Sequence, residues 1–372
     1  MNPTIRRYDI DWLRVITIGL LLIYHIAIVF QPWAALIGFV QSNESLNAVW
    51  IAMSMINIWR IPLLFFVSGT GVAFAIKKRN WKQLILERTQ RILVPFLFGM
   101  IFIVPIHVLI WQHYYHQEIV FAPQQGHLWF LKNIYVYVLV LAPLFFYLRK
   151  HENGQFNSWL RKLYSHPFGL LVIVGAFVVE AIIVNPEAYE LYAFTWHGFF
   201  LGFLAFLFGF SAVINSISFW PTILKWRWIF LSLALLLFLS RFVQFDLKAP
   251  NYLMGIESCM WIFAVFGFGY KYLNRPSSTL SYLSQGAYPI YIIHMIFLYL
   301  GSIIVLPLEI PTYVKFILVI VLTFTGCFAL YEVIRRVAFL RPLFGLKNEI
   351  SNDLDSLVIK NQSKKQDKYL VK

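Results

Sequence analysis

Charge is what this sequence has least of. Only 13% of its 372 residues are Asp, Glu, Lys or Arg. A water-soluble domain carries roughly 25%, so a soluble fold of this size could not cover its surface. Cysteine is as scarce: Cys259 and Cys327 both fall inside apolar runs, which excludes a disulfide framework, a Cys-x-x-Cys redox pair and a thiolate metal site. No Gly-x-Ser-x-Gly elbow occurs, which removes a hydrolase-type triad. No internal repeat stands out to support an inverted-repeat transporter. What the chain has is apolar mass: 60% of it is hydrophobic, with 36 Phe, 20 Tyr and 13 Trp, far too much for a disordered chain. Its net charge of +14 lies at the edges of the apolar runs, so nucleic acid is not a partner.

A helix needs about 20 mostly apolar residues to cross a bilayer. Ten runs qualify: residues 12–31, 49–75, 92–112, 127–148, 167–184, 194–214, 226–245, 252–273, 281–304 and 313–334. They are too long for buried strands and lack strict alternation. The fold class is therefore an all-α polytopic membrane protein, a bundle of about ten transmembrane helices. The first run is longer than a signal core, holds Arg14, and precedes no small-residue cleavage site. With the N-terminus in the cytoplasm, 25 of the 31 Lys and Arg fall on inner loops and one, Lys248, on an outer loop. Arg14, Arg60, Lys132, Arg241 and Lys315 lie within or at the ends of spans. This is the positive-inside distribution. It predicts both termini cytoplasmic and a multi-pass protein of the cell (cytoplasmic, inner) membrane, with the lipid bilayer as a partner. Residues 1–346 form one membrane domain, and residues 347–372 a polar, mobile cytoplasmic tail.

Ionisable groups inside a bilayer are costly and mark function. The first span has three: Asp11, Arg14 and His25. At about 100° per residue, His25 is about 20° past three turns from Arg14 and about 40° short of four turns from Asp11, so all three share a face. Arg14 and His25 are roughly 16 Å apart along the axis. On the outer side lie His25, His127, Glu180, His197, Arg241, Glu257 and His294. His25 and His294 are each about 13 residues past the inner end of their runs, so their imidazoles share a depth. On the inner side lie Asp11, Arg14, Arg88, Arg91, Glu332, Arg335 and Arg336. Arg60 is mid-span, two residues before Pro62, which predicts a kink. The outer zone suits a hydroxyl-rich acceptor, and the cationic inner zone suits a phosphorylated donor. Blander readings stand beside these: Arg14 snorkels to headgroups, the inner charges follow from topology, and Trp129, Trp196 and Trp261 form an interfacial belt rather than a sugar platform.

Tyr8-Asp9-Ile10-Asp11-Trp12-Leu13-Arg14, followed ten residues later by His25, resembles the opening signature of the acyltransferase 3 family of membrane proteins. Phe65-Phe66-Val67-Ser68-Gly69 is similar to its Phe-Phe-x-x-Ser-Gly. Glu87-Arg88-Thr89-Gln90-Arg91-Ile92-Leu93-Val94-Pro95 is similar to its basic loop. His127-Leu128-Trp129-Phe130-Leu131 resembles the start of its fourth span, and Tyr288-Pro289-Ile290-Tyr291-Ile292-Ile293-His294 its late Tyr-x-x-His segment. The run from Tyr331-Glu332 to Arg341-Pro342-Leu343-Phe344-Gly345 is similar to the branch that includes glucan-modifying succinyltransferases. The extra extracytoplasmic domain of some members has no counterpart.

Acyl transfer needs a base for the attacking hydroxyl and a stabiliser for the oxyanion. Histidine suits the base role near neutrality, and the resemblance puts His25 there, with Arg14 and Asp11 completing the catalytic set. Arg88, Arg91 and Ser68 are the donor-binding candidates, although Ser68 beside Gly69 also fits plain helix packing. His294, Trp129, His197 and Glu257 are the acceptor-site candidates, His294 with a possible catalytic role. No metal and no tightly bound cofactor is expected. The resemblance implies an O-acyltransferase with acyl-CoA as donor substrate and an envelope carbohydrate as acceptor. The acyl group, acetyl, succinyl or longer, stays open. A proton-coupled transporter or flippase of a lipid-linked or small polar substrate is the alternative, and a scaffold ranks last.

Overall fold

The computed structural model describes residues 6–347. The predicted tail, Lys347 apart, lies outside the described residues. Ten helices are long and apolar enough to cross a membrane: α1 Tyr8–Val29, α2 Asn47–Ile76, α3 Trp81–Tyr114, α4 Gly126–Lys150, α5 Pro167–Val184, α6 Trp196–Ile214, α7 Ser216–Gln244, α8 Asn251–Tyr272, α9 Ser278–Val305 and α10 Thr312–Arg336. Each overlaps one predicted run, and no strand occurs among the described residues. The protein is an all-helical, multi-pass membrane protein. An even number of spans returns the chain to the end where it began. There the Tyr8 amide donates to Asn274 Oδ1, in the α8–α9 connection, at 3.0 Å.

Two helices start well before their apolar runs. α3 begins at Trp81, where Asn80 and Gln83 form a reciprocal capping box that satisfies two amides of the first turn. The stretch 87–95, read as a basic loop, is therefore helical. α7 begins at Ser216, directly after Asn215 closes α6. Two π turns interrupt α3, at Thr89–Leu93 and Gly99–Ile103. Each contains the carbonyl that the proline four residues on cannot pair with: Arg91 for Pro95, Ile101 for Pro105. A proline ring crowds that carbonyl and offers it no N–H, and widening the turn relieves the conflict.

α2, α8 and α9 form the core, with 72% of the most apolar 18-residue stretch of each buried; α7, at 22%, is peripheral. α1 packs against α9, α2 and α8, with Asp9 buried, Asp11 and His25 half-buried and the Arg14 side chain 37% exposed. α2 meets α6 through a reciprocal glycine contact. A Cβ on Gly69 would lie 2.0 Å from Phe206 O, and one on Gly209 would lie 2.0 Å from Phe66 O. Without lipid-driven attraction between helices, such close approach supplies the packing energy. Pro62 sits within α2, which runs on through it. Its missing N–H frees the Ile58 carbonyl, and the Tyr192 hydroxyl, from the α5–α6 connection, donates to that oxygen at 2.9 Å.

Gly69→Val or Gly209→Val is expected to drive α2 and α6 apart, costing about 2 kcal/mol or more through overpacking. Size-exclusion profiles and thermal unfolding in detergent read this out; a variant as stable as the wild type would contradict the contact.

Candidate active site

α1 and α9 bring His25 and His294 together. His25 Nδ1 lies 2.8 Å from His294 Nε2, and the rings are nearly parallel, 9° apart with centroids at 5.1 Å. Helix arithmetic put the two at one depth; the packing of α1 on α9 puts them in contact. His127, at the start of α4, stands edge-on to His294 at 4.9 Å. His107 of α3 follows at 5.5 Å from His127. Four helices thus contribute one imidazole each to a common interior group.

The hydrogen bonds fix which nitrogens carry protons. His294 Nδ1 lies 2.7 Å from the Tyr291 carbonyl. A carbonyl only accepts, so Nδ1 bears the hydrogen and Nε2 of the neutral ring bears a lone pair. That lone pair requires His25 Nδ1 to be the donor across the 2.8 Å contact. His25 Nε2 is then unprotonated, and no protein group among the described residues bonds it. His25 is half-buried, whereas His294 is fully buried. The same logic places a hydrogen on His127 Nε2, 3.0 Å from the Ile292 carbonyl. The Tyr291 hydroxyl donates to the His127 carbonyl, tying α4 to α9. Chemically, the arrangement is an imidazole whose tautomer is set by a second ring, as an orienting group sets the histidine of a catalytic triad.

The remaining site candidates fall elsewhere. Asp11 and Arg14 are paired at 3.6 Å, and Asp11 also receives Arg6 at 3.1 Å. Asp11 is about 21 Å along α1 from His25, so it does not orient that ring. Arg14 lies instead within electrostatic reach of Arg91, and Arg88 within reach of both. Arg91 contacts Glu87 at 3.4 Å. Arg88 touches the Gly71 carbonyl at 3.5 Å with one Nη, and its buried Nε has no partner. The Ser68 hydroxyl donates to Leu64 O at 2.7 Å in its own helix. His197 Nδ1 pairs with Glu180 at 3.0 Å, both buried. Glu257 accepts from Arg241 Nε at 2.7 Å and Nη2 at 3.0 Å, with Trp261 Nε1 at 3.3 Å. Both oxygens of Glu257 are thus engaged by protein. Trp129 lines a cavity of about 220 Å³ with Trp196, Lys132 and Asn133.

Three residues of these polar groups had not been singled out. His107 is an ionisable group within an apolar run, a signal that was present in the sequence. Tyr288 presents a buried, unpartnered hydroxyl within reach of Arg88 and Arg91; only the packing of α9 on α3 reveals it. Glu190, between α5 and α6, has its carboxyl held above the ordinary range by burial. Among the described residues no group of three or more His, Cys, Asp or Glu is arranged to hold a metal ion.

The fold and this histidine group define a class, a multi-pass membrane protein with neutral imidazoles gathered in its interior. The acyltransferase 3 family model, described as an acyltransferase domain, matches residues 7–332. The chain therefore belongs to this family, and the protein is a membrane acyltransferase. No curated protein and no solved structure matches it. The matched stretch ends before the run Arg341–Gly345 that resembles the succinyltransferase branch.

Arg241→Ala is expected to cost about 3–5 kcal/mol by leaving a buried carboxylate unpaired, and Arg241→Met with Glu257→Leu to recover most of it. Denaturant titration in micelles measures both; equal stability of the single variant would remove the pair from the fold's energetics.

Proposed function

We propose that the protein transfers an acyl group from a cytoplasmic acyl-CoA-type thioester to a hydroxyl of an envelope carbohydrate, with His25 Nε2 as the base. The observation that carries this reading is the 2.8 Å bond between the two imidazoles, because it leaves a lone pair on the ring nitrogen facing away from His294. The base would take the hydroxyl proton as the oxygen attacks the thioester carbonyl, and would return it to the leaving thiolate. His294 would hold the Nδ1 proton and orient the ring. In this role it is a positioning residue, closer to catalysis than to acceptor binding.

The donor would enter from the end that carries both described chain ends, where the positive charges lie. This end is the cytoplasmic one by the positive-inside rule. Arg88 and Arg91, with Arg14 and the Tyr288 hydroxyl nearby, offer donors for phosphate oxygens. From Arg14 to His25 is roughly 16 Å along α1, about the reach of an extended pantetheine arm, which is comparable to some five peptide units. The acceptor would approach from the opposite end, past the cavity of Trp129 and the exposed Trp196. His197 and Glu257 would brace that end through their buried pairs. The cytoplasmic membrane is the expected location. The donor is a substrate, and no bound cofactor enters the scheme.

His25→Ala is expected to abolish transfer while insertion and yield stay normal, and His294→Phe to lower kcat by about a hundredfold or more with a smaller change in KM. The assay is acyl-ester formation on envelope glycans by purified protein in liposomes. Full activity of His25→Ala would remove the base, and substrate flux without ester formation would favour transport. Arg88→Ala with Arg91→Ala is expected to raise the donor KM about tenfold or more; an unchanged KM would leave those arginines to topology alone.

A further inference from the structure

The scheme above names a base but no group for the negative charge that acyl transfer builds on the carbonyl oxygen. Arg60 has the properties of such a group. It lies in α2 with 2% of its surface exposed, inside the bundle, and no carboxylate pairs with it among the described residues. Its guanidinium stacks 4.0 Å over the ring of Tyr24, the residue before His25. Asn57 ties the two together, donating to the Tyr24 hydroxyl at 2.8 Å and accepting from Arg60 Nη2 at 3.1 Å. The clamp uses Nη2 alone. Nε and Nη1 are buried without any partner. The Arg60 charge also acts on His25, so the cation and the base share one region of the α1–α2 interface.

A buried charge with unmade hydrogen bonds is costly, more so inside a membrane. The other buried arginine of the bundle, Arg241, has a carboxylate partner in Glu257. Arg60 has a neutral clamp that holds it in place without satisfying its charge. A permanent anion there would quench it; an anion that forms only during the reaction would not.

We propose that Arg60 is a catalytic residue, whose unpartnered Nε–H and Nη1–H groups receive the oxyanion that develops on the transferred acyl group beside His25. This rests on the acyl-transfer reading above. In the step, the acceptor oxygen bonds to the acyl carbon as its proton passes to His25 Nε2, and the carbonyl electron pair moves to the oxygen facing Arg60. Collapse re-forms the carbonyl and breaks the C–S bond. The thiolate takes the proton back from His25, leaving an ester and a thiol. Arg60 contributes no proton, as suits a group that stays protonated.

The test uses the purified full-length protein in liposomes, with acetyl- or succinyl-coenzyme A and a host envelope glycan extract. Thiol release is followed, and donor affinity is measured separately with a thioether analogue of the donor. Arg60→Gln is expected to lower kcat about 10²–10³-fold while the affinity for the analogue changes less than about threefold. Arg60→Lys, which keeps the charge but not the fixed donors, is expected to fall between. The Lys variant decides if the Gln variant proves unfolded by size exclusion. A kcat within about threefold of wild type, or a loss confined to donor affinity, would overturn the assignment while leaving the acyl-transfer reading standing. A wild-type protein that releases no thiol and forms no ester would sink that reading, and the role of Arg60 with it.

Discussion

The carbonyl of Tyr291 sets the proton positions of the paired histidines. It lies 2.7 Å from His294 Nδ1 and offers no proton, so it dictates the His294 tautomer. That tautomer dictates the His25 tautomer across the next bond, and the result is a lone pair on His25 Nε2. Backbone geometry at one helical turn of α9 thus sets the protonation state of a side chain on α1. An Asp in the place of His294 would also orient the base, but it would bring a negative charge into the membrane interior. A neutral imidazole performs the orientation at lower desolvation cost.

The architecture separates two polar zones along the length of the bundle. Cationic groups of α1 and α3 gather at the end of the bundle where the described residues begin and end; histidines of α1, α3, α4 and α9 gather beyond them. The proline pattern helps to position the first set. Pro95 forces the π turn that contains Arg91, and the wider turn changes the direction in which the side chains of that segment leave α3. Pro62 frees a carbonyl that Tyr192 takes, which ties α2, and with it Arg60, to the α5–α6 connection.

The spans were legible in the sequence because hydropathy and charge segregation are one-dimensional signals. The shared depth of His25 and His294 was legible too, since it follows from counting residues along each span, and the two rings meet. The start of α3 was not. Lys82, Glu87, Arg88 and Arg91 dilute its hydropathy, and the Asn80–Gln83 box that begins it is a local signal overshadowed by the basic run. Partnerships across helices were equally hidden. Glu257 has the look of a ligand-binding acid until α7 and α8 are laid side by side and Arg241 is found on it. His107 was visible as an intramembrane imidazole, but its place beside His127 depends on how α3 passes α4, which no spacing encodes. The approach of Tyr288 to Arg88 and Arg91 was the least legible, because α9 and α3 are far apart in the chain.

The central claim is the proton arrangement, and nitrogen NMR addresses it without any substrate. Protein labelled with nitrogen-15 at histidine, reconstituted in lipid at neutral pH, reports each ring nitrogen as protonated or bare, and His25→Ala and His294→Ala identify the two rings. The account predicts a protonated Nδ1 and a bare Nε2 on His25, with a through-hydrogen-bond coupling from His25 Nδ1 to His294 Nε2. A His25 ring protonated at Nε2 and bare at Nδ1 would contradict it, because the proposed base would then have no lone pair to offer.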